Sequence, residues 1–253
     1  MGKTKSSSVE AGNDAVAVNR RFFSALWSET TVVPPQRFNT WPLLCELAAR
    51  AAARLELGPG LRPRLPVAGT SFVDISREAL AALNARGGRA AQGDVTALPF
   101  RSATFDLVCA FDVVEHVVDD REIFRELRRV TRAGATIVMS VPLDPRRWSP
   151  FDELVGHVRR YEAAGLVDLV RAHDLVVERS ATFGMEPRSR WLLRLAAWGL
   201  AHRRASAMHW YNTVLMPLGL RLQRPLAFTP GMLDAADVGE VLLVCRRGDD
   251  DGR

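Results

Sequence analysis

The chain has 253 residues, of which 47% are hydrophobic and 25% charged, and its formal net charge is +5. This composition is ordinary for a globular protein, and the length suits one sizeable α/β domain with additions. Lysine occurs only at Lys3 and Lys5, and many arginines form scattered doublets such as Arg128-Arg129 and Arg203-Arg204. Nucleic-acid-binding proteins concentrate positive charge on one face, so we do not expect a nucleic-acid partner.

The N-terminal region is expected to lie outside the main domain. Residues 1–16 are small and polar, which predicts a disordered arm. A helical segment is predicted over 17–52, where Leu43, Leu44 and Leu47 repeat at helical spacing. The N-terminus lacks the apolar core of a secretory signal, and no apolar run reaches the ~20 residues that span a bilayer. We therefore expect a cytoplasmic protein with no transmembrane segment.

The cysteines Cys45, Cys109 and Cys245 are far apart and lie in apolar contexts. This pattern predicts small buried residues in a reducing compartment, with no disulfide. It also gives no metal-ligand spacing, and no metal site is expected.

The first glycine turn lies between two short apolar runs. A strand over 55–57 breaks at Gly58-Pro59-Gly60, and a second strand ends at Asp74. This outline is typical of nucleotide-binding α/β proteins, but the dinucleotide version needs a helix directly after the glycines to hold the pyrophosphate. Pro63 replaces the third glycine, and with Pro66 it disfavours that helix. The turn therefore suits a nucleoside without a pyrophosphate, which argues against an NAD-dependent oxidoreductase.

The following elements alternate between helix and strand. Asp119 or Asp120 is expected to cap the helix that follows the strand over 105–110, and Gly134 is expected to end that helix. This alternation predicts an α/β fold with a doubly wound, mostly parallel, seven-stranded sheet. The core spans 53–184, and the last strand with a polar tail spans 239–253. The expected elements after the turn are a helix over 77–85, strands over 89–92 and 105–110, the capped helix, a strand over 135–141, a helix over 163–172 and strands over 175–182 and 240–245.

Acidic residues stand at the ends of the first four predicted strands, where ligands bind in such sheets. A carboxylate after the second strand can accept hydrogen bonds from both ribose hydroxyls. A carboxylate after the third can accept one from the adenine amino group, and one beside the glycine turn suits a cationic tail. Adenosine with a cationic tail is S-adenosylmethionine. The four acids are Glu56, Asp74, Asp94 and Asp112.

Five segments in order resemble class I S-adenosylmethionine-dependent methyltransferases of the small-molecule, type 11 branch. They are LELGPG (55–60), FVDIS (72–76), GDVTALPF (93–100), FDLVCAFDVVEHV (105–117) and RELRRVTRAGATIVMSVP (125–142). The resemblance implies S-adenosylmethionine as cofactor and an O, N or C atom of a small molecule as methyl acceptor. It also implies cofactor contacts: Glu56, Gly58 and Gly60 with the methionine part, Asp74 and Ile75 with the ribose, Asp94 and Val95 with the adenine, and Phe111 and Asp112 beside the cofactor. The proline-rich crossover departs from the family, which usually has a helix there.

The candidate catalytic residues follow the fourth and fifth strands. His116 lies just past the fourth, and His157 lies beyond the fifth with Arg160 and Tyr161. A histidine can serve as general base where the acceptor must lose a proton. Arginine binds carboxylates and phosphates in a bidentate manner, so the small-molecule acceptor is expected either to carry an anionic group or to be apolar.

A helical insertion is predicted over 185–238, before the last strand. Its run WLLRLAAWGLA (191–201) is apolar nearly all round. It is either a helical pair packed on the sheet edge, a cap over an apolar substrate, a homodimer surface or a membrane-surface contact. The alternatives to an enzyme of this family are a non-catalytic S-adenosylmethionine-binding protein of the same fold and an NAD-dependent oxidoreductase.

Overall fold

The computed structural model describes residues 31–184, 198–199, 202–203, 206 and 209–249. The predicted arm over 1–16 and most of the apolar run over 191–201 lie outside these residues. The helices in the described part are α1 (Trp41–Arg50), α2 (Arg77–Asn84), α3 (Asp120–Val130), α4 (Pro150–Val155), α5 (Ala163–Ala172) and α6 (Met216–Leu222). The strands there are β1 (Arg54–Leu57), β2 (Ser71–Asp74), β3 (Arg89–Gln92), β4 (Phe105–Phe111), β5 (Thr131–Pro142), β6 (Leu175–Thr182), β7 (Phe228–Pro230) and β8 (Glu240–Arg247).

One sheet with the strand order β3-β2-β1-β4-β5-β8-β6-β7 forms the centre of the molecule. The pairs among β1 to β5 are parallel, and β8 lies antiparallel between β5 and β6. The predicted α/β doubly wound fold is confirmed. The expected count of seven strands is one too low, because β7 adds to the edge at β6 through the pairs Ser180–Thr229 and Ala181–Phe228. This short strand falls inside the predicted insertion.

The strand order reverses direction between β1 and β4, which pair side by side in parallel. Chain crossovers leave the sheet in opposite directions at this point, so a crevice opens beyond the carboxyl ends of the two strands. Glu56 lies near the carboxyl end of β1, and Asp112 follows β4. The fold therefore brings the predicted binding residues to one edge of the sheet.

Two local predictions are wrong. The helix α3 ends at Val130 and not at Gly134, because Thr131 already pairs with Phe105 as the first residue of β5. Gly134 adopts a φ of +70° within that strand, beside an irregularity in the register. Cys45 is exposed, because α1 turns Leu43 and Leu44 toward the core and leaves Cys45 on its outer face; Cys109 and Cys245 are buried as expected.

The core lies between the sheet and the helices that flank it. The buried strands β4 and β5 pack against Ile123, Phe124 and Leu127 of α3. A cavity of about 210 Å³ lies between α5 and β6, near Met232, and is remote from the carboxyl ends of β1 and β4. Within the described ranges, no helix has both the length and the apolar character that a membrane crossing requires.

Candidate functional site

The turn after β1 requires glycine at its first position. Gly58 has a φ of +58° and Gly60 a φ of +51°. The amide of Gly58 donates a hydrogen bond to the carbonyl of Val73 in β2, at 2.8 Å. A Cβ atom at Gly58 would lie 2.7 Å from Cγ2 of the buried Val113. The turn is thus held tightly between the ends of β1 and β2 and the chain after β4.

The carboxylate of Asp74 fixes the end of this turn through hydrogen bonds. Its Oδ2 accepts a hydrogen bond from the amide of Gly60 at 2.8 Å, and its Oδ1 accepts one from the amide of Ser76 at 2.8 Å. Burial raises the pKa of Asp74, although the amides of Ser76, Gly60 and Ile75 act in the opposite direction. A carboxylate has about four lone-pair positions, so Asp74 keeps acceptor capacity beyond these backbone amides. Its contact with the hydroxyls of a ribose stays a prediction.

Glu56 is 1% exposed and holds the crossover from β1 to β2. Its carboxylate accepts hydrogen bonds from the amides of Arg64 and Leu65, at 2.8 to 3.1 Å. Burial raises the pKa of Glu56 to about 7, while the two amides and the Arg64 charge lower it. The side chain thus fixes the backbone that replaces the usual helix, and its contact with the methionine part of a ligand stays a prediction.

Arg64 is a site residue that the sequence analysis missed. Only 9% of it is exposed, and its guanidinium carbon lies 3.6 Å from the ring centroid of Phe38. The same carbon lies 5.5 Å from the ring of Phe111 and 6.0 Å from that of Phe183. Burial lowers the pKa of Arg64, and the charges of Asp112 and Glu56 raise it. An arginine between prolines in a loop carries no local signal that it will be buried.

The remaining predicted cofactor residues lie around the same edge. Asp94 follows β3, is exposed, and its Oδ1 accepts hydrogen bonds from the amide and hydroxyl of Thr96 at 2.8 Å. Asp112 adopts a φ of +54° directly after β4, and its Oδ1 accepts a hydrogen bond from the hydroxyl of Ser140. Phe111 is buried at the end of β4, while Ile75 and Val95 are half-buried. Direct ligand contacts of these residues stay predictions.

The two candidate histidines come together. The ring centroids of His116 and His157 are 4.8 Å apart. Nδ1 of His116 donates to the carbonyl of Gly156 at 3.0 Å, since a carbonyl can only accept, and the amide of Val158 donates to the carbonyl of Glu115 at 2.9 Å. These bonds join the chain after β4 to the chain after α4. Burial, together with the neighbouring His157, lowers the pKa of His116 to about 4.

Arg160 and Tyr161 both form hydrogen bonds with acidic side chains near the two histidines. Asp152 accepts hydrogen bonds from Nδ1 of His157 at 2.9 Å and from Nε of Arg160 at 2.8 Å. Burial opposes ionisation of Asp152, but these bonds and one from Ser149 hold its pKa well below the usual range. Tyr161 is buried and its hydroxyl donates to Asp120 at 3.1 Å, while burial raises the pKa of the phenol. These contacts favour a positioning role for both residues, and their catalytic role stays a prediction.

The fold and the site together define a class of protein. A mostly parallel sheet with an antiparallel strand between β5 and β6 carries a glycine turn and carboxylates at the carboxyl ends of its strands. The crossover after the turn lacks the helix that would hold a pyrophosphate. The class is therefore a Rossmann-like α/β protein whose crossover after the glycine turn differs from that of dinucleotide-binding proteins.

Comparison with known proteins shows a similarity to methyltransferases. Residues 61–139 match the family model described as "Methyltransferase domain". A protein of Mycolicibacterium smegmatis named as a probable S-adenosylmethionine-dependent methyltransferase is 32% identical over 90 residues, which cover 34% of each chain. The norajmaline N-methyltransferase of Rauvolfia serpentina is 45% identical over 47 residues, or 19% of this chain and 16% of the relative. Residues 61–139 are therefore similar to the methyltransferase domain of the type 11 branch, and these matches imply S-adenosylmethionine as the cofactor.

Solved structures support the same fold over most of the chain. The geranyl diphosphate methyltransferase in complex with GPP and sinefungin has a TM-score of 0.52 at 16% identity, with 81% of this chain and 76% of that chain covered. The [4+2]-cyclase SpnF also has a TM-score of 0.52, at 19% identity over 82% of this chain and 79% of that chain. The match spans about a third or less of the length of the two curated relatives. Similarity at this level establishes the fold and leaves the reaction to be argued from the site.

Proposed function

We propose that this protein transfers the methyl group of S-adenosylmethionine to an O, N or C atom of a small-molecule acceptor. The observation that carries this proposal is the hydrogen bond from the Gly60 amide to Asp74, which joins the glycine turn after β1 to the carboxylate at the end of β2. A methionine tail and a ribose belong to one molecule, so their binding groups must be held at a fixed separation. This bond supplies that rigidity.

Different residues of this edge would bind different parts of the cofactor. The backbone at Gly58 and Gly60 would contact the methionine part, and Asp74 with Ile75 the ribose. The adenine would bind beside Asp94, and Phe111 and Asp112 would lie near the reacting end. S-adenosylmethionine supplies a methyl group on a positively charged sulfur atom. The protein's own contribution is to hold an acceptor in line with that group, a positioning effect that can reach about 7–11 kcal/mol.

His116 and His157 are the residues best situated to face the acceptor. They follow β4 and α4 at the edge where Asp112 lies, and a described contact orients Nδ1 of each ring. Oriented imidazoles can hold an acceptor or remove its proton, and general-base catalysis typically adds 10²–10⁴-fold. A cap over this acceptor is one of the predicted roles of the insertion over 185–238.

A non-catalytic or different activity on the same cofactor is the second candidate. The SpnF structure has this fold and is named for a cyclisation. This candidate predicts cofactor binding without methyl transfer, so binding and transfer must be measured separately. An NAD-dependent oxidoreductase is disfavoured by the missing pyrophosphate helix.

The binding test compares S-adenosylhomocysteine and NAD on the full-length protein. S-adenosylhomocysteine at a hundred times its Kd should stabilise the native state by about 2.7 kcal/mol, which corresponds to a Tm increase of roughly 5–10 °C. Asp74→Asn removes charge-assisted hydrogen bonds worth roughly 1.5–3 kcal/mol, so affinity should fall about ten- to a hundredfold. Asp106→Asn is the matched control, because Asp106 also accepts a hydrogen bond from a backbone amide, that of Ala53, but lies at the start of β4, at the opposite ends of the strands. Stabilisation by NAD and not by S-adenosylhomocysteine would overturn the proposal.

The transfer test is a screen of candidate metabolites and cell extracts with a methyl donor labelled on the methyl group. We expect label in a small-molecule fraction with the wild-type protein and a large loss with Asp74→Asn. If S-adenosylhomocysteine binds tightly and no acceptor takes up label, the second candidate is favoured.

A further inference from the structure

A cluster of one carboxylate and two imidazoles lies beyond the ends of β4 and β5. The candidate ligand atoms of Glu115, His116 and His157 all lie within 4.8 Å of one another. Glu115 and His116 belong to the short 3-10 turn after β4, whereas His157 follows α4. The bonds from His116 to Gly156 and from Val158 to Glu115 hold these two segments in a fixed relation.

Glu115 contributes a buried carboxyl group to this cluster. The residue is 1% exposed, and no described residue donates a hydrogen bond to its Oε2. Its Oε1 lies 3.7 Å from Nε2 of His157, beyond hydrogen-bond distance. Leaving a buried carboxylate oxygen unsatisfied is costly, and a positively charged occupant would remove that cost.

The imidazoles are oriented as metal-binding histidines are. Nδ1 of His157 donates to the carboxylate of Asp152, and Nδ1 of His116 donates to a carbonyl. In the neutral ring each histidine then carries its lone pair on Nε2. Metal-ligating histidines almost always make such an outer bond to a carboxylate or carbonyl, which fixes the tautomer and the ring orientation. Arg160 and Ser149 in turn hold Asp152.

The separation of these atoms suits a transition metal. A tetrahedral Zn²⁺ site with bonds of about 2.0–2.2 Å needs ligand atoms roughly 3.3 Å apart, and the gap between His157 and Glu115 is 3.7 Å. Two imidazoles and one carboxylate suit Zn²⁺, Fe²⁺ or Co²⁺, whereas Mg²⁺ prefers oxygen ligands alone. Sites with three protein ligands leave a position open for a substrate atom.

We propose that Glu115, His116 and His157 bind one divalent transition-metal cation, and that this cation holds an oxygen atom of the methyl acceptor. The second half rests on the proposed methyl transfer; the first half does not. Because the cluster follows the strand that ends at Phe111, the cation lies on the acceptor side of the cofactor edge. No metal site was predicted from the sequence, because the three candidate ligands come from two segments without a recognisable spacing.

The binding experiment uses the metal alone. Full-length protein stripped with a chelator is titrated with Zn²⁺ in a competing metal buffer, and we expect one tightly bound ion per chain. Loss of an outer-shell partner typically costs about 10- to 100-fold in metal affinity, so Glu115→Gln and His157→Ala should each cost at least that. His173→Gln is the matched control, because His173 also bonds a carbonyl through Nδ1 but lies before β6, at the opposite edge of the sheet.

The possible results distinguish a failure of the metal-site proposal from a failure of the proposed methyl transfer. Absence of a tight ion on the wild-type protein, or equal affinity in Glu115→Gln and His157→Ala, overturns the metal site. Circular dichroism verifies that each variant is folded, and S-adenosylhomocysteine binding tests the proposed function independently. With the site loaded with Co²⁺, addition of the acceptor found in the labelling screen should change the visible absorption spectrum. An unchanged spectrum at saturating acceptor overturns the second half.

Discussion

At the scale of single residues, the buried carboxylate of Glu56 fixes the backbone of the crossover after β1. It lies fully buried in β1, and its two oxygens accept hydrogen bonds from the amides of Arg64 and Leu65. The charged and titratable groups that face it are the Arg64 guanidinium and the thiol of Cys109, which pairs with Glu56 across the sheet. The raised pKa of about 7 means that the folded protein binds this proton more tightly than the unfolded chain.

This pKa makes stability depend on pH. The contribution of Glu56 is fully present below its unfolded pKa of 4.5 and is lost as the pH rises through about 7. Between pH 5 and pH 8 the wild-type protein should therefore lose about 2–3 kcal/mol in its free energy of unfolding from this group. Glu56→Gln cannot titrate and should lack that loss. Urea unfolding across this pH range, without added cofactor, measures the difference.

The control is Glu46→Gln, which removes an exposed carboxylate of α1. Its unfolding free energy should follow the wild-type curve in parallel. A parallel curve for Glu56→Gln as well would show that Glu56 does not keep its proton in the folded protein.

Among the elements, the turn between β1 and β2 carries the strictest steric requirement. Gly58 combines a positive φ with a Cβ position 2.7 Å from Val113. Gly231 has a similar φ of +64°, but no atom lies within 4 Å of its Cβ position. Comparison of alanine substitutions at Gly58 and Gly231 therefore separates the cost of backbone strain from the cost of a side-chain collision.

We expect Gly58→Ala to be the more damaging of the two substitutions. A left-handed conformation costs a non-glycine residue about 1–3 kcal/mol, and overpacking adds typically 1–3 kcal/mol. Gly231→Ala should show only the first cost, so Gly58→Ala should be less stable by at least about 1 kcal/mol. It should also bind S-adenosylhomocysteine more weakly, which calorimetry measures. Equal unfolding free energies for the two variants would mean that Val113 moves aside without cost.

At the scale of the whole molecule, the segment over 185–238 has two parts. Its later part belongs to the folded core: Asn39 bonds Gln223 and Arg224, and Phe228 packs against a core cluster and pairs with β6. Around α6 the segment is more open, and Leu222 is 70% exposed. A helical pair on the sheet edge, a cap, a homodimer surface and a membrane-surface contact all remain predictions for the rest of the segment.

Replacement of residues 187–221 by a Gly/Ser linker of equal length tests the cap. A long flexible connection costs little extra closure entropy, so the sheet should still form and S-adenosylhomocysteine affinity should stay within a few-fold of wild type. Transfer to the acceptor found by labelling should be lost, because the acceptor would be uncovered. A folded variant that no longer binds S-adenosylhomocysteine would contradict this division, and one with full transfer would exclude a cap.

The sequence by itself determined most of the elements and the edge of the sheet at which the acidic residues lie. The bounds of α5 and β6 agree with the predicted ranges, and Ser76 caps α2 through the amide of Ala79. Such features depend on residues close together in the chain, namely apolar period, caps and turn glycines. The acids at strand ends were equally predictable, because parallel strands bring their carboxyl ends to one edge.

Only the tertiary structure decided which side chains meet. Burial of Arg64 on Phe38, pairing of β7 with β6 and convergence of Glu115 with His157 all join residues far apart in the chain. Each histidine was predicted singly, but the carboxylate between β4 and His116 carried no local signal. The physical reason is that contacts between distant segments depend on how helices and crossovers pack on the sheet, and periodicity within one segment contains no information about its neighbour.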